Sequence, residues 1–283
     1  MSSLNLTLIQ TNLYWEDKEA NLLLLEDKIN SIKESTQVAV LPEMFSTGFS
    51  MKPEELAEYM DGKTMHWLRK MANDKKLIVT GSLIIEEKGK YYNRLIWMLP
   101  NGQYGQYDKR HLFAYADEDK HYTAGNQRLI ASVNGWKINL MVCYDLRFPV
   151  WARQTSSPYG EETPSALGGE VGRGLEYDVL IYVANWPERR SIAWKTLLVA
   201  RAIENQCYVI GVNRVGKDGH DIYHSGDSMV VDPLGEILYH KADEEGVFTI
   251  SLEKEHLEKV REKLPFWRDA DRFLLLTNIG DED

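Results

Sequence analysis

Apolar and polar positions alternate along "LNLTLIQTN" (4–12), the period of a strand with one buried face. The period then changes. In "EANLLLLEDKINSIKES" (19–35) leucine and isoleucine group on one helical face, which predicts a helix. "QVAVLPEMF" (37–45) is a short apolar run closed by Pro42, the pattern of a buried strand meeting a loop. Strand, helix, strand is the signature of two parallel strands joined by a crossover. "TMHWLRKMANDKK" (64–76) predicts a second helix. The stretch 77–109 reads differently, with strand-like runs broken by the turn signals "KGK" and "NGQ", and predicts a meander of hairpins.

A similar order follows. "WKINLMVCYD" (136–145), "YDVLIYVANW" (177–186) and "CYVIGVNRVG" (207–216) read as buried strands, and "SIAWKTLLVARAIENQ" (191–206) as an amphipathic helix between the last two. "DSMVVDPLGEILYH" (227–240) predicts a hairpin around "DPLGE". The halves are alike in outline, without a clean repeat. The expected fold class is α/β, mixed sheets layered with helices. One domain is expected over 1–283, with a core at about 4–252, a loop inserted at 154–174 and a C-terminal extension at 253–283. The insert, "QTSSPYGEETPSALGGEVGRG", has no hydrophobic period, so it reads as a lid or as a plain surface insertion.

Composition narrows the function. A net charge of −10 argues against nucleic acid and acidic membranes as partners, while leaving room for a small anion held by local arginines. The two cysteines are too few for a disulfide framework, the N-terminal segment has no signal-peptide pattern, and no apolar run would span a bilayer. A cytoplasmic protein is expected.

Candidate chemistry gathers at strand ends. In "INLMVCYDLRFP" (138–149) a buried run stops at Cys143 and turns polar at once. Glu43 lies just beyond "VAVLP", and Lys109 ends "GQYGQYDK". Sites in α/β sheets form at the carboxyl edge of the strands. A thiol, a carboxylate and an ammonium meeting there make a working set: a thiol at its free pKa is mostly protonated and needs a base or a cation beside it. Glu43 would take the proton. Lys109, with the backbone N–H of Tyr144, would hold the oxyanion formed by attack on a carbonyl. The three side chains are expected within hydrogen-bond reach, at the floor of one pocket.

"LPEMF", "YDKRHLF" and "CYDLRFP", in that order and at these separations, resemble the nitrilase superfamily of carbon–nitrogen hydrolases, and "ANWP" (184–187) and "DSMVVDPLGEIL" extend the match from about Leu4 to about Leu252. The resemblance implies an αββα sandwich whose subunits pair so that layers stack, hence a homodimer or larger homo-oligomer. It also implies a Glu43–Lys109–Cys143 triad and a thioester intermediate; since nucleophile, base and electrophilic stabiliser are then all side chains, no cofactor is expected. A second glutamate often assists, and Glu118 in "ADEDKHYTAG" fits by its distance from Gly125, with Asp117 and Asp119 as neighbours. Within the superfamily the chain is most similar to the ω-amidase branch, which hydrolyses the terminal amide of 2-oxo acid amides such as 2-oxoglutaramate. A nitrile or an N-carbamoyl compound is the alternative substrate, and a non-catalytic binding protein the alternative role.

Each residue also has a plainer reading. Cys207 at the head of "CYVIGV" is taken as core, and Glu118 could belong to a solvated acidic face. Arg147 either orients a substrate carboxylate or pairs with Asp145 or another acid. Trp186 lines the pocket or plugs the core. His111, Glu118 and His121 together could be metal ligands, but their spacing matches no tight helical pair, and no metal is expected.

Overall fold

In β1 the even leucines, Leu4, Leu6 and Leu8, pack into one buried cluster, and Ile9 packs into another on the opposite face. The same split by parity recurs at Val38/Val40 against Ala39/Leu41, and at Leu95/Trp97 against Ile96/Met98. Alternation thus gives each strand two apolar faces, and both must be covered. The computed structural model describes residues 3–154, 175–271 and 273; of the 154–174 insert, all but Gln154 lies outside the described residues.

The elements run β1 (Ser3–Gln10), α1 (Lys18–Asn30), β2 (Val38–Val40), α2 (Pro53–Leu56), α3 (Lys63–Lys75), β3 (Ile78–Glu87), β4 (Lys90–Met98) and β5 (Tyr104–Asp108). Then come α4 (Glu118–His121), β6 (Leu129–Val133), β7 (Trp136–Val142), α5 (Pro149–Ala152), β8 (Val179–Ala184), α6 (Ser191–Asn205) and β9 (Tyr208–Asn213). The chain continues as β10 (Val215–Lys217), β11 (Tyr223–Val231), β12 (Ile237–Ala242), β13 (Gly246–Glu253) and α7 (Lys254–Lys263). The first sheet has the order β13-β1-β2-β3-β4-β5, and the second β10-β11-β9-β8-β7-β6 with β12 on β11.

The two sheets share the larger cluster, which holds Leu6, Val40 and Trp97 of one and Ile138, Ile181 and Ile210 of the other. The first sheet's outer face is covered by α1 and α3 through Leu22, Leu25, Leu68 and Met71. The second sheet's outer face takes α6, and at Gly211 the helix comes so close that a Cβ would lie 2.6 Å from Leu198. The result is the layered αββα sandwich. Trp97, fully buried between the sheets, is the kind of side chain whose truncation to alanine costs about 3–5 kcal/mol.

Strand direction places the site. β1, β2 and β3 are parallel, β4 runs against β3 and β5 against β4, so β5 points the same way as β2. In the second sheet β7, β8 and β9 are parallel. The carboxyl ends of β2 and β5 therefore lie on one edge of the first sheet, and those of β7 and β8 on one edge of the second. After β13 the packing continues into α7: Leu257 and Val260 are buried and Arg261 reaches Asp178 at 2.8 Å.

Candidate active site

Four strand ends contribute side chains. Glu43 follows β2 by three residues, Lys109 follows β5 directly, Cys143 follows β7 directly and Asn185 follows β8 directly. Glu118 opens the short helix α4. Lys109 Nζ donates to Glu43 Oε1 at 2.9 Å and to Glu118 Oε1 and Oε2 at 3.0 and 2.8 Å. All three side chains are fully buried. Asn93 Nδ2 of β4 donates to both carboxylates, at 2.8 Å to Glu43 and 3.1 Å to Glu118. The other Glu43 oxygen accepts the backbone N–H of Asn185 at 2.8 Å, and Phe113 N–H donates to Glu118 Oε2 at 2.6 Å.

Cys143 sits at the sharpest point of this arrangement. Its φ is +44°, and it opens a 3-10 turn, Cys143–Arg147, straight out of β7. The first N–H groups of such a turn have no partner within it, so the turn geometry leaves the Tyr144 N–H available beside the sulfur. The Cys143 thiol lies close enough to Glu43 and Lys109 for both to act on its titration. Cys143 lines a cavity of about 260 Å³, with Tyr144, Arg147 and Trp186 also in its wall. Glu43 and Lys109 do not line that cavity; they are buried against Cys143, so of the three groups expected at the floor one is open to it.

Burial pushes the Cys143 thiol well above its ordinary value, and the nearby Glu43 charge adds to this against the opposing pull of Lys109. Burial also works against the Lys109 ammonium, but Glu118, Glu43 and Cys143 outweigh it and its pKa rises. Glu118 is raised as well, by burial, with Lys109 holding it down and Glu43 pushing it up. A buried cation flanked by two carboxylates loses a hydration shell and regains it in fixed contacts. The two carboxylates favour the protonated form of Lys109.

The remaining expectations divide. Glu118 is not on a solvated face: it is fully buried on Lys109, while Asp117 and Asp119 are exposed. Arg147 does not pair with Asp145. Its guanidinium lies over the Trp186 ring at 4.9 Å, and Asp145 is occupied by Tyr107, His111 and the Val142 N–H. Trp186 reaches the cavity wall and donates its ring N–H to the Arg190 carbonyl at 2.8 Å. His111 and His121 do not join Glu118 in a ligand set: His111 Nδ1 is on Asp145 at 2.8 Å, and no group of three metal-binding side chains occurs among the described residues. Asn93 and Asn185 were missed by sequence reasoning. Asn185 carried a signal, since it directly follows the apolar end of a buried strand, as Cys143 does. Arg189 and Arg190 also line the cavity, and burial lowers the Arg190 pKa, with Arg189 beside it adding to the effect.

Comparison with known proteins gives a consistent picture. A family profile described as carbon–nitrogen hydrolase matches residues 5–262. The ω-amidase YafV of Escherichia coli K12 is 41% identical over 277 residues, spanning 97% of this chain and all of that protein. The 2-oxoglutaramate amidase of Bacillus subtilis is 30% identical, spanning 94% of this chain and 97% of that one. Among solved structures, XC1258 of Xanthomonas campestris, a CN-hydrolase superfamily protein with an arsenic adduct in its active site, superposes with a TM-score of 0.91 at 38% identity, covering 97% of this chain and 100% of that one. The match runs through both sheets and every strand end that feeds the buried acid–amine–thiol group, and the chain belongs to the carbon–nitrogen hydrolase family.

Proposed function

We propose that the protein hydrolyses the terminal amide of a small 2-oxo acid amide, with 2-oxoglutaramate as the reference substrate, and releases ammonia. The observation that carries this is the Lys109 ammonium held between Glu43 and Glu118 beside a thiol that opens onto a cavity. The relatives named ω-amidase and 2-oxoglutaramate amidase supply the substrate class.

In this reading Glu43 takes the Cys143 proton as the sulfur attacks the amide carbon. The carbonyl electron pair moves to oxygen, where Lys109 and the Tyr144 N–H stabilise it. The resting thiol is held protonated by burial, so the base has to act within the same step as attack. The tetrahedral intermediate collapses as Glu43 returns the proton to nitrogen, ammonia leaves, and a thioester remains. Water positioned by Glu118 attacks the thioester as its proton passes to the Glu43 carboxylate; the second tetrahedral intermediate collapses with cleavage of the C–S bond, Glu43 returns the proton to the Cys143 sulfur, and the acid departs. No cofactor enters the scheme. Arg147 lines the cavity without a carboxylate partner among the described residues and would anchor the distal carboxylate, with Trp186 fixing its guanidinium. Binding energy from that end positions the amide for attack.

A homodimer or larger homo-oligomer and a cytoplasmic setting belong to the same proposal. Both cysteines are free thiols, and Ile192 on α6 is 80% exposed, a large apolar side chain on a face that a second subunit would cover. No helix among the described residues is long and apolar enough to cross a membrane. Ammonia release is to be measured on 2-oxoglutaramate, on the same amide without its carboxylate, on an aliphatic nitrile and on an N-carbamoyl compound. The first is expected to have the highest kcat/KM. Equal values for the first two, or a preference for the nitrile, would remove the ω-amidase assignment.

A further inference from the structure

Cys143 comes from the second sheet and Lys109 from the first, so their relative position depends on how two sheet edges are held together. Asp145 bridges those edges. It is fully buried, two residues after the nucleophile candidate, and both of its oxygens are occupied. Oδ2 accepts the Val142 N–H at 3.0 Å and the Tyr107 hydroxyl at 2.7 Å. Oδ1 accepts the His111 N–H at 3.0 Å and bonds the His111 ring Nδ1 at 2.8 Å. Val142 immediately precedes Cys143, while Tyr107 and His111 stand two residues either side of Lys109. The Tyr107 hydroxyl in turn accepts from Trp151 Nε1 at 3.0 Å and from the Arg110 N–H at 3.2 Å, and the His111 ring is stacked on Phe148 at 3.9 Å. No arginine or lysine pairs with this carboxylate among the described residues.

We propose that Asp145 is a positioning residue, whose carboxylate holds the Cys143 turn and the Lys109 strand exit in register and so sets where the thiol stands relative to the ammonium. The chemistry of the four contacts makes the assignment specific. All four partners can act as donors, and an ionised carboxylate is the side chain that accepts from four at once. An asparagine of the same size has one accepting oxygen and would turn an NH₂ toward two donors. The segment is then free to shift, and a displacement of about 1 Å in a reacting pair can lower turnover about 10²-fold. The inference rests on the cysteine mechanism proposed above.

The test uses the full chain and 2-oxoglutaramate. Asp145→Asn is expected to lower kcat about 10²-fold with KM changed less than about threefold, and to slow alkylation of Cys143 by iodoacetamide in parallel. His111→Ala is expected to lower kcat roughly tenfold, and His111→Asn, which returns a donor near the Nδ1 position, to recover most of that loss. This pair carries the test if Asp145→Asn does not fold. Wild-type kcat in Asp145→Asn, a change confined to KM, or equal losses in the two His111 variants would overturn the proposal. Cys143→Ala is run alongside: if it stays active the cysteine mechanism fails, whereas if it is inactive and Asp145→Asn is normal, positioning alone fails.

Discussion

The two cysteines stand at opposite edges of the same sheet. Cys143 follows β7, at the carboxyl edge; Cys207 precedes β9, at the amino edge, and β7, β8 and β9 are parallel. Burial raises the pKa of both thiols. Their neighbours differ. Cys143 has the Glu43 carboxylate, a buried ammonium and a cavity beside it. Cys207 is fully buried, and the charges near it are paired with other groups, Arg261 with Asp178 at 2.8 Å and Glu204 with Arg201 at 3.1 Å. A raised thiol pKa therefore says nothing about reactivity; the partners decide it, and the strand edge decides the partners.

The largest effect expected from this contrast is on turnover. Cys143→Ala should lower kcat by more than about 10³-fold, while Cys207→Ala keeps wild-type kcat and loses on the order of 1 kcal/mol of stability, read from urea midpoints. Substantial activity in Cys143→Ala would erase the distinction between the two thiols. The next effect isolates the ammonium. Arginine keeps the charge but is planar and larger, so Lys109→Arg should lower kcat by about 10²–10³-fold. A near-normal kcat would mean that positive potential alone suffices. The smallest concerns burial of an imidazole whose side-chain hydrogen bond goes to a backbone carbonyl. His224 lines the same cavity, and burial together with Arg214 pushes its pKa down to about 4. The unfolded imidazole takes a proton near its ordinary value of about 6.5 while the folded one refuses it. Stability contributed here is full above about pH 6.5 and is lost as pH falls toward 4, by on the order of 2–3 kcal/mol. His224→Asn should flatten that part of the curve of urea midpoint against pH; an unchanged slope would show that burial does not set this pKa.

The strand–helix–strand opening was legible because its periods are clean, and the structure pairs β1 and β2 in parallel as expected. The first helix was read to residue 35 but ends at Asn30. The Ser31 N–H bonds back to Asp27 and Lys28, and the run of leucines blurs the period, since Leu22 and Leu25 are buried while Leu23 is 66% exposed. β13, which pairs antiparallel with β1, was not read, because its residues are nearly all half-buried and show no alternation. At the site, residues at strand ends could be found by rule, and Glu43, Lys109 and Cys143 stand where that rule puts them. Asn93 could not: it lies inside β4, and a single polar residue in a strand carries no mark of the two carboxylates it will meet. Asp145 was considered only as a partner for Arg147, since nothing in the spacing reveals that four donors from two sheets converge on it.

The turn at Cys143 has a consequence for engineering. A φ of +44° is a conformation that glycine adopts freely and that a residue with a Cβ holds at roughly 1–2 kcal/mol. A glycine there would relieve the backbone and could not attack anything. Cys143→Gly should therefore resist urea better than Cys143→Ala, although both are expected to be inactive under the proposed mechanism, so any selection for thermal robustness that ignores turnover will drift toward deleting the proposed nucleophile.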